Sequence, residues 1–179
     1  MRALVWIGVV SATCLFIPHS ASAQDSRRLA VAGGYSLVRD NDIDETLIGW
    51  VASATGHIAS SFGITAEAGG TTKTLPVLGT TLKYRSLSFM AGPHVSVRPI
   101  DRVTLFGQVL FGGVRATVGI LDQTHSRTDF ALQPGGGADF WISRTIGIRA
   151  GADYRRITAA DSLVTQLRVH VGMVISGGS

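Results

Sequence analysis

The stretch "TIGIRAGADYRR", Thr145–Arg156, interleaves two sets of residues. Ile146, Ile148, Ala150, Ala152 and Tyr154 are apolar; Gly147, Arg149, Gly151, Asp153 and Arg155 are small or charged. A period of two puts the sets on opposite faces of an extended strand. In a water-soluble barrel the apolar set would point inward. In a membrane barrel it would point out to lipid, leaving the charges in the lumen. Both cases share this pattern, so other parts of the chain must separate them.

Charged residues make up 16% of the 179-residue chain, against about 25% in an average soluble domain. Glycine accounts for 22 residues. Beyond residue 23, no run is long and apolar enough for a transmembrane helix. A chain this apolar, with no such helix, must spread its apolar residues over alternating positions, which points to lipid on the outside. The start of the chain is different. Arg2 precedes the apolar run Ala3–Ile17, Pro18 breaks it, and Ala21, Ser22 and Ala23 close it with small residues. This pattern predicts a secretory signal peptide over 1–23, cleaved before Gln24, and one domain over 24–179. Cys14 is the sole cysteine and leaves with the signal, so the mature chain has no disulfide and no cysteine metal site. "SAT" before Cys14 is a poor lipidation box. Fourteen Arg against two Lys dominate the net charge of +4, which falls to +3 without Arg2. The arginines are dispersed along the chain, adjacent only at 27–28 and 155–156, with no aromatic-interleaved basic stripe, which argues against nucleic acid as a partner.

Eight strands are predicted, over 27–39, 47–58, 62–73, 82–98, 102–118, 127–142, 145–157 and 163–175. Phe130, Leu132, Pro134, Gly136, Ala138 and Phe140 oppose Asp129, Ala131, Gln133, Gly135, Gly137 and Asp139. Leu163, Thr165, Leu167, Val169, Val171, Met173 and Ile175 oppose Val164, Gln166, Arg168, His170, Gly172 and Val174. Strands 29–38 and 102–118 alternate less cleanly. Tight connections at 59–61, 99–101 and 143–144 alternate with longer ones at 40–46, 74–81, 119–126 and 158–162. This is the pattern of an all-β, eight-stranded antiparallel up-and-down transmembrane barrel, with short turns on one side and both termini at that side. Closure leaves no sheet edge unpaired in the membrane.

The less apolar face decides between the two barrels. A face in water should be rich in Lys and Glu. Here it carries Gly, Ser, Thr, Ala and a few charges of both signs, which suits a narrow lumen filled by side chains. "PGGGAD" (Pro134–Asp139) then reads as a crowded lumen wall. It lacks the following Lys-Ser/Thr and helix of a phosphate loop. Aromatic girdles are expected from Phe62, Phe106, Phe140 and Trp141 at one rim and Tyr84, Phe111, Phe130 and Tyr154 at the other.

No catalytic, metal or cofactor site is expected. Asp40, Asp42 and Asp44 in "DNDIDE" suggest a calcium loop, but Glu45 stands where an EF-hand needs Gly and Val51 where it needs Glu. His125, Asp122 and Asp129 cluster in a polar segment without a ligand spacing that specifies a metal. A lipid-modifying barrel enzyme would need a nucleophile, a His base and an acid facing lipid. His57, His94 and His170 fall on the predicted lumen face instead.

With these segments in place, the mature chain resembles the small outer-membrane β-barrel domains of Gram-negative bacteria, the OmpA/OmpX-like group. "AVAGGYSLVRD" is similar to their opening strand, "FMAGPHVSVRP" with "RVTLFGQVLFGGVR" to the central hairpin, and "LQPGGGADFWISRTIGIRAGADYRR" to strands six and seven. The resemblance implies an outer-membrane location and a monomer in contact with membrane lipid and lipopolysaccharide. It also implies dependence on the barrel-assembly machinery, and a structural or adhesive role with extracellular ligands contacted through 40–46, 74–81, 119–126 and 158–162. A small solute pore is the alternative. Members end on an aromatic residue, whereas this chain runs past Ile175 into "SGGS".

The opening stretch also sets a register. If 143–145 form a turn, Ile142 faces Ile146 and Asp139 faces Arg149. If 159–162 form the next loop, Thr158 faces Leu163 and Asp153 faces Arg168. A one-residue slip would turn one partner to lipid, costing about 2–4 kcal/mol for Arg at midplane. Glu67, from the third strand, is expected at the same level. Glu67, Asp139, Arg149, Asp153 and Arg168 should therefore form a structural charge network that plugs the lumen.

Overall fold

The computed structural model describes residues 29–40, 45–77, 80–120, 123–159 and 162–177. The proposed signal peptide, Asp42 and Asp44, and Asp122 lie outside the described residues, as do the side chains of Asp40, Tyr84 and His125. Eight strands follow one another: β1 (Leu29–Asp40), β2 (Glu45–His57), β3 (Phe62–Val77), β4 (Thr80–Ile100), β5 (Val103–Ile120), β6 (Gln123–Trp141), β7 (Ile146–Ala159) and β8 (Ser162–Gly177). Each pairs antiparallel with the next, and β1 pairs with β8 from Leu29↔Gly177 to Asp40↔Gln166, closing the barrel.

The alternation in sequence becomes an alternation across the wall. On β7, Ile146, Ile148, Ala152 and Tyr154 are exposed while Gly147, Arg149, Asp153 and Arg155 are buried. Large apolar side chains cover the outside all round, for example Tyr35, Ile48, Phe89 and Val171. The buried set holds three acids, three arginines, two histidines and three glutamines. Water would not favour such an exterior, so the outward face is the one suited to lipid.

The interior is layered. Met90, Leu110, Val114, Ala131 and Ile157 form one apolar cluster, with Val164 against it. Ala30, Ala32, Trp141 and Val174 form another near the start of β1. These clusters explain the blurred alternation of β1 and β5, whose inward positions include Ala30, Ala32 and Val38, and Phe106, Leu110 and Val114.

Two expectations need correction. The longer connections are mostly strand. Pairing continues to Asp40↔Glu45, Val77↔Thr80, Ile120↔Gln123 and Ala159↔Ser162. Only 41–44, 78–79, 121–122 and 160–161 are left between strands at that end, all outside the described residues. Backbone pairing does not stop where the apolar band stops, and the Thr-rich ends of β3 and β4 favour extension. The second correction concerns the girdles. Phe106 and Trp141 are buried in the lumen. Trp141 donates its indole N–H to Thr104 Oγ1 at 2.9 Å, which satisfies that donor inside the wall. Phe62, Phe140, Phe111, Phe130 and Tyr154 do face outward.

At the other end the turns are short. Ile58 and Ala59 both donate backbone N–H to Phe62 O. Ile142 and Ser143 both donate to Ile146 O, and Ser143 Oγ accepts from the Thr145 and Ile146 amides. This compact turn fixes the register of the β6–β7 hairpin.

Candidate functional site

The lumen is where the fold gathers its buried polar chemistry among the described residues. Turn 142–145 sets Asp139 opposite Arg149. Arg149 grips that carboxylate with both arms, Nε to Oδ1 at 2.7 Å and Nη2 to Oδ2 at 2.9 Å. A fork on a carboxylate is the strongest ordinary ion-pair geometry. Its third nitrogen, Nη1, reaches Ser53 Oγ across the lumen at 3.4 Å.

The β7–β8 hairpin sets Asp153 opposite Arg168. Arg168 donates Nε and Nη2 to Asp153 Oδ2 at 3.0 and 2.7 Å. The same Nη2 lies 2.7 and 2.8 Å from the two Glu67 oxygens. Arg168 thus ties β8 to its neighbour β7 and to β3 on the far wall. The side chains of Arg168, Glu67 and Asp153 are 3%, 3% and 0% exposed, so little water can screen this triad. The five residues named from the sequence therefore form two clusters, Arg149–Asp139 and Arg168–Glu67–Asp153.

Further partners extend both clusters. Gln133 donates to Glu67 Oε1 at 3.1 Å and accepts from Arg155 Nε at 2.8 Å. Arg155 also reaches Ser88 Oγ at 3.4 Å. Gln108 Nε2 approaches Asp153 Oδ1 at 3.5 Å. His170 Nδ1 lies 3.2 Å from Asp153 Oδ2, near enough for an ion pair when the ring is protonated but out of line for a hydrogen bond. Below Arg149 the contacts turn aromatic. Its guanidinium sits 4.6 Å from the Phe106 ring centre, Phe106 stacks on His94, and His94 meets His57 edge-on. Arg155, Gln133, Gln108 and His170 were not among the residues assigned to the charge network from the sequence. Arg155 lies in the same alternating series as Arg149 and Asp153, so its inward face was legible. Its partner is an amide, which a search for opposite charges in register overlooks.

Glycine makes room for this packing. A Cβ on Gly135 would land on the Asp153 carboxylate, and one on Gly151 would strike the His170 ring. The lumen cavities beside the network measure about 20 and 10 Å³, room for one water at most in each. Three arginines face three acids, so the buried charges balance, as a low-dielectric interior requires. Chemically, the arrangement can hold strands together and block a path. No group of three or more possible metal ligands occurs among the described residues.

Several solved structures share this architecture. The chain is similar to Neisserial surface protein A, at 13% identity and a TM-score of 0.66, over 83% of this chain and 96% of that one. It is similar to Ail, the attachment invasion locus protein of Yersinia pestis, solved with the heparin analogue sucrose octasulfate. That match has 19% identity and a TM-score of 0.55, over 82% and 96% of the two chains. It is similar to OprG of Pseudomonas aeruginosa at 8% identity and a TM-score of 0.54, over 84% and 96%. At these identities the likeness is one of fold. No curated protein sequence matches the chain. The outer membrane protein β-barrel domain model matches residues 7–174, and with the closed eight-stranded sheet and its apolar exterior this shows that the chain belongs to the family of outer-membrane β-barrels.

Proposed function

We propose that this chain is a monomeric, non-enzymatic barrel of the outer membrane, exported by residues 1–23, with a closed lumen and a structural or adhesive role at the cell surface. The observation that carries the reading is the Arg168 bridge from Asp153 to Glu67 across the lumen, with water-sized cavities beside it among the described residues. Those side chains leave little room for a solute between the walls. Strand pairing continues to the ends of β1/β2, β3/β4, β5/β6 and β7/β8, above the apolar band. Those ends, around 40–46, 74–81, 119–126 and 158–162, are the surfaces for an extracellular ligand. A lipid-modifying enzyme fits less well, because His94 and His170 are buried in the lumen and His57 lines it. Lipid outside the wall cannot reach them.

Conductance in planar bilayers tests the reading. Wild-type barrel should show no large, steady channel, and Arg149→Ala should introduce openings by removing a side chain that crosses from β7 to Ser53 on β2. A large, steady wild-type conductance would sink the closed lumen and favour a small pore.

A further inference from the structure

The outward face ends on an arginine margin. Along β1, β4, β5 and β7, the outward positions after Leu37, Leu87, Gly113 and Tyr154 are Arg39, Arg85, Arg115 and Arg156, all exposed. On β4 the outward run from Val97 to Leu87 covers ten residue steps. At about 3.4 Å per residue and a tilt near 40°, that is about 26 Å of height, the thickness of a barrel's apolar band. The arginines therefore stand where headgroups begin. They lie at the hairpin end, away from the short turns, which is the outer leaflet in this family's orientation. Among the described residues no Asp or Glu faces outward there.

Two of these arginines are neighbours. Arg85 faces Thr117, and Leu87 faces Arg115. Arg85 and Arg115 thus share one face of adjacent strands, diagonally placed at about 7–8 Å. Neither forms an ion pair with a carboxylate among the described residues, and Arg115 Nη2 donates to Ser126 Oγ at 3.1 Å. Two like charges this close repel unless an anion sits between them. Beneath them, about 10 Å lower by the same rise and tilt, Phe89 and Phe111 border an open depression of about 580 Å³. Its floor is made of small residues of β2–β4, among them Ala52, Ala66 and Ala91. A charged clamp thus stands above a concave apolar trough on one side of the wall.

We propose that Arg85 and Arg115 clamp the phosphate of an outer-leaflet lipid whose acyl chain lies in this alanine-floored depression. Charge complementarity selects the occupant. A phosphate offers several acceptor oxygens to two guanidinium forks, and only a lipid carries the acyl chain that the depression below would take. The proposal rests on the membrane orientation of the barrel and not on the closed lumen.

The test uses the folded mature barrel in zwitterionic detergent, with binding measured to diphosphorylated lipid A, to its dephosphorylated form and to inorganic phosphate. Wild type should prefer the phosphorylated lipid by about tenfold or more, equivalent to about 1.4 kcal/mol. Inorganic phosphate should not compete at the same concentration. Arg85→Gln with Arg115→Gln should abolish the preference, and Arg85→Lys with Arg115→Lys should retain part of it. Ala66→Phe should weaken both lipids while keeping the phosphate preference. Arg98→Gln with Arg102→Gln, at the opposite rim, should change nothing. A preference that survives the glutamine pair, falls equally in the opposite-rim pair, or is competed away by inorganic phosphate would overturn the proposal. Heat-dependent gel mobility confirms that each variant is folded, so a lost preference reports on the clamp.

Discussion

Two ion pairs in this barrel have the same length and opposite worth. Arg168 meets Asp153 at 2.7 Å in the middle of the lumen, and Arg127 meets Asp129 at 2.7 Å at its mouth. The side chains of the first pair are 3% and 0% exposed; those of the second are 55% and 18% exposed. Distance alone would rank them equal. Solvent separates them: at the mouth, water and salt solvate either partner if the other is lost, whereas in the lumen nothing replaces it. The pairs also differ in reach. Arg127 and Asp129 belong to one strand, so their contact ties together nothing distant, while Arg168 holds three strands.

The largest effect should come from stranding the buried charges. Arg168→Ala leaves Asp153 and Glu67 without their main cation. It should lower stability by roughly 3–5 kcal/mol, read as the urea midpoint of the barrel refolded into detergent micelles. Replacing the cluster together with its second cation (Arg168→Met, Arg155→Gln, Glu67→Gln and Asp153→Asn) should recover much of that loss, because two cations and two anions go together and no net charge is left buried. If the single variant costs under about 1 kcal/mol, the mid-lumen pair is as solvated as the one at the mouth and the contrast fails.

A smaller effect should follow from crowding. Gly135→Ala puts a methyl group where the Asp153 carboxylate lies. Overpacking of this kind costs about 1–3 kcal/mol, and the same unfolding measurement would show it. Gly113→Ala, where an added Cβ would meet only the Thr128 methyl at ordinary contact distance, is the matched control and should cost less. Equal losses would mean that the penalty belongs to the strand backbone and not to the network.

The smallest effect belongs to the mouth. Arg127→Ala should change stability by about 0–1 kcal/mol. Any loss should vanish in 1 M salt, where the screening length is about 3 Å. The Arg168 loss should persist in that salt, which makes ionic strength the cleanest way to sharpen the comparison.

Much of this was legible in the sequence because register in a two-faced strand is nearly binary. Asp139↔Arg149 and Asp153↔Arg168 follow from short turns and from the cost of turning an arginine to lipid, and the structure has both pairs. The reach of Arg168 to Glu67, 101 residues away, depends on barrel curvature, to which strand alternation adds only the inward face of Glu67. Phe106 was misassigned because β5 carries apolar residues on both faces, so an inward aromatic there looks like an outward one. Trp141 shares the parity of Asp139, so the alternation of β6 already points it inward, and only its place at the rim suggested a girdle. The hairpin ends were misassigned as loops because hydrophobic alternation marks where lipid stops, while backbone pairing runs on beyond it. The amide-linked partners Gln133 and Arg155 obey no charge rule that could flag them.

The Arg168–Glu67 contact also constrains the order of assembly. These side chains come from β8 and β3, which are brought across from each other only as the sheet curls and β1 meets β8. In an open, partly inserted sheet Arg168 could already pair with Asp153 on the adjacent strand, but Glu67 would face the inside without its cation. That carboxylate must stay hydrated until the seam zips, so water has to accompany the sheet into the membrane and leave last. Closure and dehydration are then a single late event, and contacts of such long range make it slow. The lumen that ends up blocked is, on the way there, the channel through which its own solvent drains.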